Sequence, residues 1–128
     1  MLTQPVLPDH ITHASGRRKT CCTATVLAAL GIEPGQYRYC STERDLLRIL
    51  RAHGFSARSR TSTLGRRVSV HGMRERVKGV GETRVGYMVI VAGHVILLGW
   101  QGRTLVDTAP VSGPDLRKVQ RVYRIARK

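Results

Sequence analysis

Residues 86–110 read GYMVIVAGHVILLGWQGRTLVDTAP. Two apolar runs, Val89-Ile90-Val91 and Val95-Ile96-Leu97-Leu98, lie either side of Ala92-Gly93-His94, and Gln101-Gly102 separates the second run from Leu105-Val106-Asp107. β-Branched and aliphatic residues broken by glycine turns predict strands over 85–91, 94–100 and 103–108, with Gln101-Gly102 as a two-residue hairpin turn. Apolar runs that are nearly continuous, rather than alternating, predict a buried sheet. In that register Trp100 faces Arg103, His94 lies across from Ala109, and Asp107 lies across from Ile96. His94 and Asp107 are polar interruptions of this sheet. They would share one face as diagonal neighbours, about 7–8 Å apart at the backbone, a gap that their side chains can bridge.

Working outward, the segment 19–31 reads KTCCTATVLAALG. Thr20 is a good N-cap for a helix over 21–30, and Gly31 closes it. Cys21 then sits at the helix start, where the helix dipole favours a thiolate. Cys22 points about 100° away around the helix and reads as a small buried residue. Both are close enough to the helix start to feel the dipole, so Cys22 remains the alternative nucleophile. Ser41 or Thr42 caps a second helix over 43–53, with Asp45 three residues after Thr42 as a weak capping box. That helix places Leu46, Leu47, Ile49 and Leu50 on one side and ends at Gly54. A short strand follows over 55–60, Ser69 caps a third helix through Val77, and a last strand covers 120–126. Helices first and an antiparallel sheet after them define an α+β chain. Pro5, Pro8 and Gly16 mark residues 1–19 as an irregular arm, leaving 20–128 as a single domain.

The chain has 128 residues and a hydrophobic fraction of 41%, enough for one modest core. Aromatics make up only 5%, so Val, Leu, Ile and Ala must build that core. No apolar run is long enough to cross a bilayer, and the N-terminus lacks the basic-then-apolar pattern of a secretory signal, which predicts a cytoplasmic protein without a membrane partner. Three cysteines, two of them adjacent, do not form a disulfide framework. The spacing does not suit a zinc site either, so no metal or other cofactor is expected, and Cys40 reads as a buried thiol.

The formal net charge is +14. Basic clusters fall at Arg17-Arg18-Lys19, over 58–67, over 74–78 and over 117–128. A field of this size attracts polyanions, and Arg17, Arg18, Lys19, Arg66 and Arg67 are the candidate contacts to non-specific nucleic acid. An arginine-rich solvated surface is the plain alternative.

Cysteine at a helix mouth, histidine entering a strand and an acid ending the next strand is the layout of a thiol nucleophile, its base and the group orienting that base. At these residues the chain resembles papain-fold cysteine peptidases, in particular small phage and bacterial members related to bacteriocin-leader-processing peptidases. The matching residues are Cys21 with Gly31 ten residues on, Gly93-His94, and Asp107. The resemblance implies a papain-like domain with the nucleophile helix first and an antiparallel sheet after it. It implies a peptide or protein substrate, with Cys21 as nucleophile, His94 as general base within about 4 Å of the sulfur, and Asp107 as orienting acid. Such peptidases carry a glutamine a few residues before the cysteine to stabilise the oxyanion. Here Ser15 stands six residues before Cys21 and the nearby glutamine is Gln4. His13, Ser15 and Thr20 are therefore the candidate oxyanion donors. Two other readings use the same residues: a catalytically inactive protein of this fold, acting as a basic DNA-associated structural or virion component, and an amidase or acyl-transfer enzyme acting on cell-wall peptides.

Overall fold

The computed structural model describes residues 22–38, 40 and 42–128. Helix α1 spans Cys22–Ala29, α2 spans Glu43–Ala52 and α3 spans Val70–Val80. The strands are β1 Phe55–Ser59, β2 Val85–Val91, β3 His94–Gly99, β4 Thr104–Val106 and β5 Arg121–Arg127. They form one antiparallel sheet in the order β1-β5-β2-β3-β4. The C-terminal strand therefore enters the middle of the sheet, between the first strand and the central hairpin. Among the described residues the fold is α+β, with three α-helices and a five-stranded antiparallel sheet. Among the described residues no helix is long and apolar enough to cross a membrane.

Every residue of β2 is buried. Its side chains alternate between two cores. Met88 and Ile90, with Val95 and Leu97 of β3, meet Val26 and Leu27 of α1 and Leu46, Ile49 and Leu50 of α2. Tyr87, Val89 and Val91, with Ile96 and Leu98 of β3, meet Val70, Met73 and Val77 of α3. Helices thus cover both faces of the hairpin, which is why its sequence is apolar without a break. Burying side chains of this kind stabilises by about 1.5–3 kcal/mol each, so these two layers supply the bulk of the hydrophobic driving force.

Local signals set the helix ends. Thr42 Oγ1 accepts from the Asp45 N–H at 3.1 Å and caps α2, while Ser41 lies outside the described residues. Leu46, Ile49 and Leu50 are buried and Leu47 is half-buried. Ser69 Oγ accepts from the Gly72 N–H at 3.2 Å at the start of α3. This helix runs past Val77 to Val80 and stops at Gly81, whose φ of 69° is left-handed.

The turn after β3 differs from the expected two-residue form. The Gly99 N–H donates to Arg103 O at 2.8 Å and the Gly102 N–H to Gly99 O at 2.9 Å, so Trp100, Gln101 and Gly102 form a three-residue loop. Gly102, at φ 81°, supplies the left-handed residue that such a loop requires. The strand after it is also shorter than 103–108. Its pairing shifts between Leu97 and Leu98, which oppose Val106 and Thr104, so Leu105 is an extra residue and forms a bulge. Leu105 and Val106 both point into the α1 core. The loop moves the register by one residue and the bulge moves it back.

Gly102 lies close against α3: a Cβ built there would stand 2.5 Å from the Arg74 carbonyl oxygen. Gly102→Ala should destabilise the protein by about 1–3 kcal/mol, through this clash and the left-handed backbone. By contrast Gly79, inside α3, has nothing within 4 Å of its would-be Cβ. Gly79→Ala should stabilise by about 0.5–1 kcal/mol through helix propensity. Urea unfolding midpoints moving in opposite directions for the two variants would check both.

Candidate active site

His94 opens β3 directly after the β2–β3 turn, and Asp107 follows the last residue of β4. His94 shares its strand phase with Ile96 and Leu98, which face α3, and Val106 opposes Leu97, so Asp107 has the same facing. His94 Nε2 lies 2.7 Å from Asp107 Oδ1. The diagonal relation expected from sequence is present, although the loop and the bulge reach it together, not the two-residue turn.

Asp107 is 2% exposed, and its carboxylate is surrounded by donors. Oδ1 also accepts from the Ala109 N–H at 2.9 Å, and Oδ2 accepts from Arg117 Nη2 at 2.8 Å. Burial alone would raise the Asp107 pKa. The His94 hydrogen bond, the Ala109 N–H and the Arg117 guanidinium outweigh it and bring the value down to about 2. An ionised carboxylate can only accept, so His94 Nε2 carries the hydrogen of this bond. In the neutral imidazole, Nδ1 is then the basic nitrogen.

His94 lines a cleft of about 240 Å³ together with Thr23 of α1, Glu43 of α2, Ile90 of β2, and Gln120 and Arg121 at the start of β5. Glu43 is held by Arg121, at 2.7 and 2.8 Å from Nε, and by the Tyr123 hydroxyl. Burial works to raise the Glu43 pKa, but Arg121 and Tyr123 more than offset it and the net shift is downward. Burial first, then the neighbouring Glu43, pushes the Tyr123 pKa up to about 12. The cleft therefore brings the first turns of α1 and α2 to the start of β3.

Of the candidate site residues, the structure brings His94 and Asp107 together. Cys21, His13, Ser15, Thr20, Arg17, Arg18 and Lys19 lie outside the described residues. Cys22 is the first residue of α1, one position before Thr23 in the cleft. Cys40 is half-buried, not fully buried as expected, and its carbonyl accepts from Thr23 Oγ1 at 3.3 Å. Among the described residues no group of three His, Cys, Asp or Glu side chains is placed to hold a metal ion.

Arg66 and Arg67 are exposed, in the turn between β1 and α3. The basic cluster over 117–128 is different. Arg117 pairs with Asp107 and Asp115, Arg121 with Glu43, and Arg124 with Glu82. The acids of Arg121 and Arg124 are distant in sequence and those of Arg117 are near it, and together they compensate much of that cluster's charge. Sequence reasoning missed Arg117, because it read as one member of a basic run. The signal was Asp115-Leu116-Arg117: an aspartate two residues before an arginine, in the loop that follows Asp107.

Comparisons with family models, with curated proteins and with solved structures found no match to this chain.

Asp107 ties stability to acid. A carboxyl whose pKa falls on folding contributes stability above its unfolded value, which is lost as pH drops through the folded one. With a folded value of about 2, against an ordinary 3.8, this stabilisation is complete above about pH 5 and disappears between about pH 4 and 2. Its size is on the order of 2 kcal/mol. Asp107→Asn should flatten that part of the stability profile, followed by urea unfolding from pH 2 to pH 6. It should also lower stability at pH 7.

Proposed function

We propose that the protein is a papain-like cysteine hydrolase acting on a peptide or protein, with Cys21 as nucleophile, His94 as base and Asp107 as orienting acid. The observation that carries this reading is the 2.7 Å hydrogen bond between His94 and a buried, ionised Asp107, with His94 lining the same cleft as Thr23 at the beginning of α1. Supporting it, Asp107 occupies Nε2 and leaves Nδ1 as the nitrogen suited to accept a thiol proton. Cys22 is the alternative nucleophile, since it starts α1 and also feels the helix dipole.

The chemistry follows from these roles. The thiol proton passes to His94 Nδ1, and the sulfur attacks the substrate carbonyl to form a tetrahedral oxyanion. Collapse breaks the carbon–nitrogen bond as the imidazolium protonates the leaving amine. Water, deprotonated by the same nitrogen, then releases the acyl group from sulfur. Asp107 stabilises the imidazolium at each stage and fixes the tautomer.

A thiol activated in this way should react with iodoacetamide at pH 6 much faster than Cys40. Peptide mapping after brief alkylation should place the label at Cys21. His94→Ala should slow the labelling by roughly tenfold or more, as the thiolate loses its imidazolium partner. Equal labelling of all cysteines, unaffected by His94→Ala, would refute the hydrolase reading.

A second reading has its own support. From His53 to Arg74 the chain holds no acidic residue, but it does hold Arg58, Arg60, Arg66, Arg67 and Arg74. Arg58, Arg66 and Arg67 are exposed. This surface suits the phosphates of nucleic acid and would operate with or without catalysis. Binding to duplex DNA should be measurable at about 50 mM salt and fall with a slope near −0.9 per phosphate contacted in log K against log salt. Arg66→Ala with Arg67→Ala should make that slope shallower by about 2. No binding at low salt would remove this reading.

A further inference from the structure

Arg117 is fixed between two buried acids. Its Nη2 lies 2.8 Å from Asp107 Oδ2 and 2.6 Å from Asp115 Oδ2, its Nε lies 2.9 Å from Asp115 Oδ1, and its Nη1 donates to Ala109 O at 3.1 Å. Asp115 is 2% exposed and also accepts the Arg117 backbone N–H at 3.2 Å. The segment is anchored to α3 in turn, because the Val70 N–H donates to Arg117 O and the His71 N–H to Asp115 O, at 3.0 and 2.8 Å. A guanidinium held by four hydrogen bonds to three residues has one orientation.

We infer that Arg117 is a positioning residue of the candidate active site, setting the Asp107 carboxylate so that Oδ1 faces His94 and Oδ2 faces away. The inference rests on the cysteine-hydrolase reading above. With Oδ2 held by Arg117 and Oδ1 by the Ala109 N–H, the carboxylate cannot rotate about its Cβ–Cγ bond without breaking both contacts. The imidazole therefore meets a fixed acceptor. Arg117 also helps keep Asp107 ionised well into the acid range. The charged groups around this carboxylate are His94 on β3, Arg117 and Asp115 on the loop before β5, and Arg74 on α3. Arg74 acts electrostatically on Asp115. The Arg117 pKa is raised, through Asp115 first and then Asp107, so its charge is constant at any working pH. Asp115 holds the guanidinium from the far side, and α3 holds Asp115.

The experiment uses the full chain and iodoacetamide as probe, with alkylation rates at Cys21 and Cys22 measured from pH 3 to pH 8. Arg117→Lys keeps the charge but loses the fork that reaches both carboxylates. Arg117→Gln combined with Asp115→Asn removes the guanidinium and one buried carboxylate together, leaving the net buried charge unchanged. Melting temperatures at pH 7 report folding separately. The acid limb of the profile should move up by about one pH unit in the double variant, about a tenfold loss of rate on that limb. Arg117→Lys should fall between it and the wild type. A limb that stays in place in folded variants, whatever their melting temperatures, overturns the role of Arg117 alone. A wild type no faster than His94→Ala at pH 5 overturns the hydrolase reading and this inference together.

Discussion

The burial of the β2–β3 hairpin on both faces is the constraint on which the rest of the structure depends. Neither strand has a solvent-facing side, so each face must be covered by a helical layer. Leu27 of α1 and Leu50 of α2 serve one face and Met73 and Val77 of α3 the other. The loops are placed by this arrangement. The loop after α2 and β1 must cross the sheet to start α3, and the loop after β4 must return past the N-terminus of α3 to insert β5 beside β2. The second crossing carries Asp115 and Arg117 to the side where Asp107 emerges. Polar groups gather there because the strands end there. His94 begins its strand and Asp107 follows the last residue of its own, so each leaves the apolar layers at the same end.

Within that end, the ionised state of Asp107 governs the rest. A carboxylate this deeply buried is tolerated because three donors surround it, and each donor has a different origin: a strand residue, a turn backbone and a loop arginine. Removing one donor leaves charge exposed to an apolar medium. This explains why an arginine that looks like part of a basic tail is half-buried against Asp107, and why the Asp115 carboxylate accompanies it.

The elements were largely legible in the sequence. Aliphatic runs separated by glycine located β2, β3 and β4, and Thr42, Gly54 and Ser69 bounded the helices, although α3 runs three residues past the expected end at Val77. These signals are local, and local physics sets them. The order of the sheet was not legible, because nothing in Arg121–Arg127 states that it pairs with both Phe55–Ser59 and Val85–Val91. The three-residue loop was hidden because Gln-Gly suits a two-residue turn as well as the end of a longer one. The pairing of His94 with Asp107 was visible because the bulge at Leu105 restored the register that the loop displaced. Arg121 and Arg124 could not be told from a solvated basic run, since the acids that neutralise them lie 78 and 42 residues away in the chain, whereas Arg117 had a local sign in Asp115 two residues before it.

The bulge and the loop of the β3–β4 hairpin act on spacing and not on facing. Val106 opposes Leu97, so Asp107 stands on the side of Ile96 and His94 however many residues the loop holds. Loss of Leu105 would leave Thr104, Val106 and Asp107 in plain alternation, with Asp107 still facing the same way. The number of residues between His94 and Asp107 is therefore free to vary while the pair stays together, and a fixed-spacing motif would miss related chains that carry the same pair.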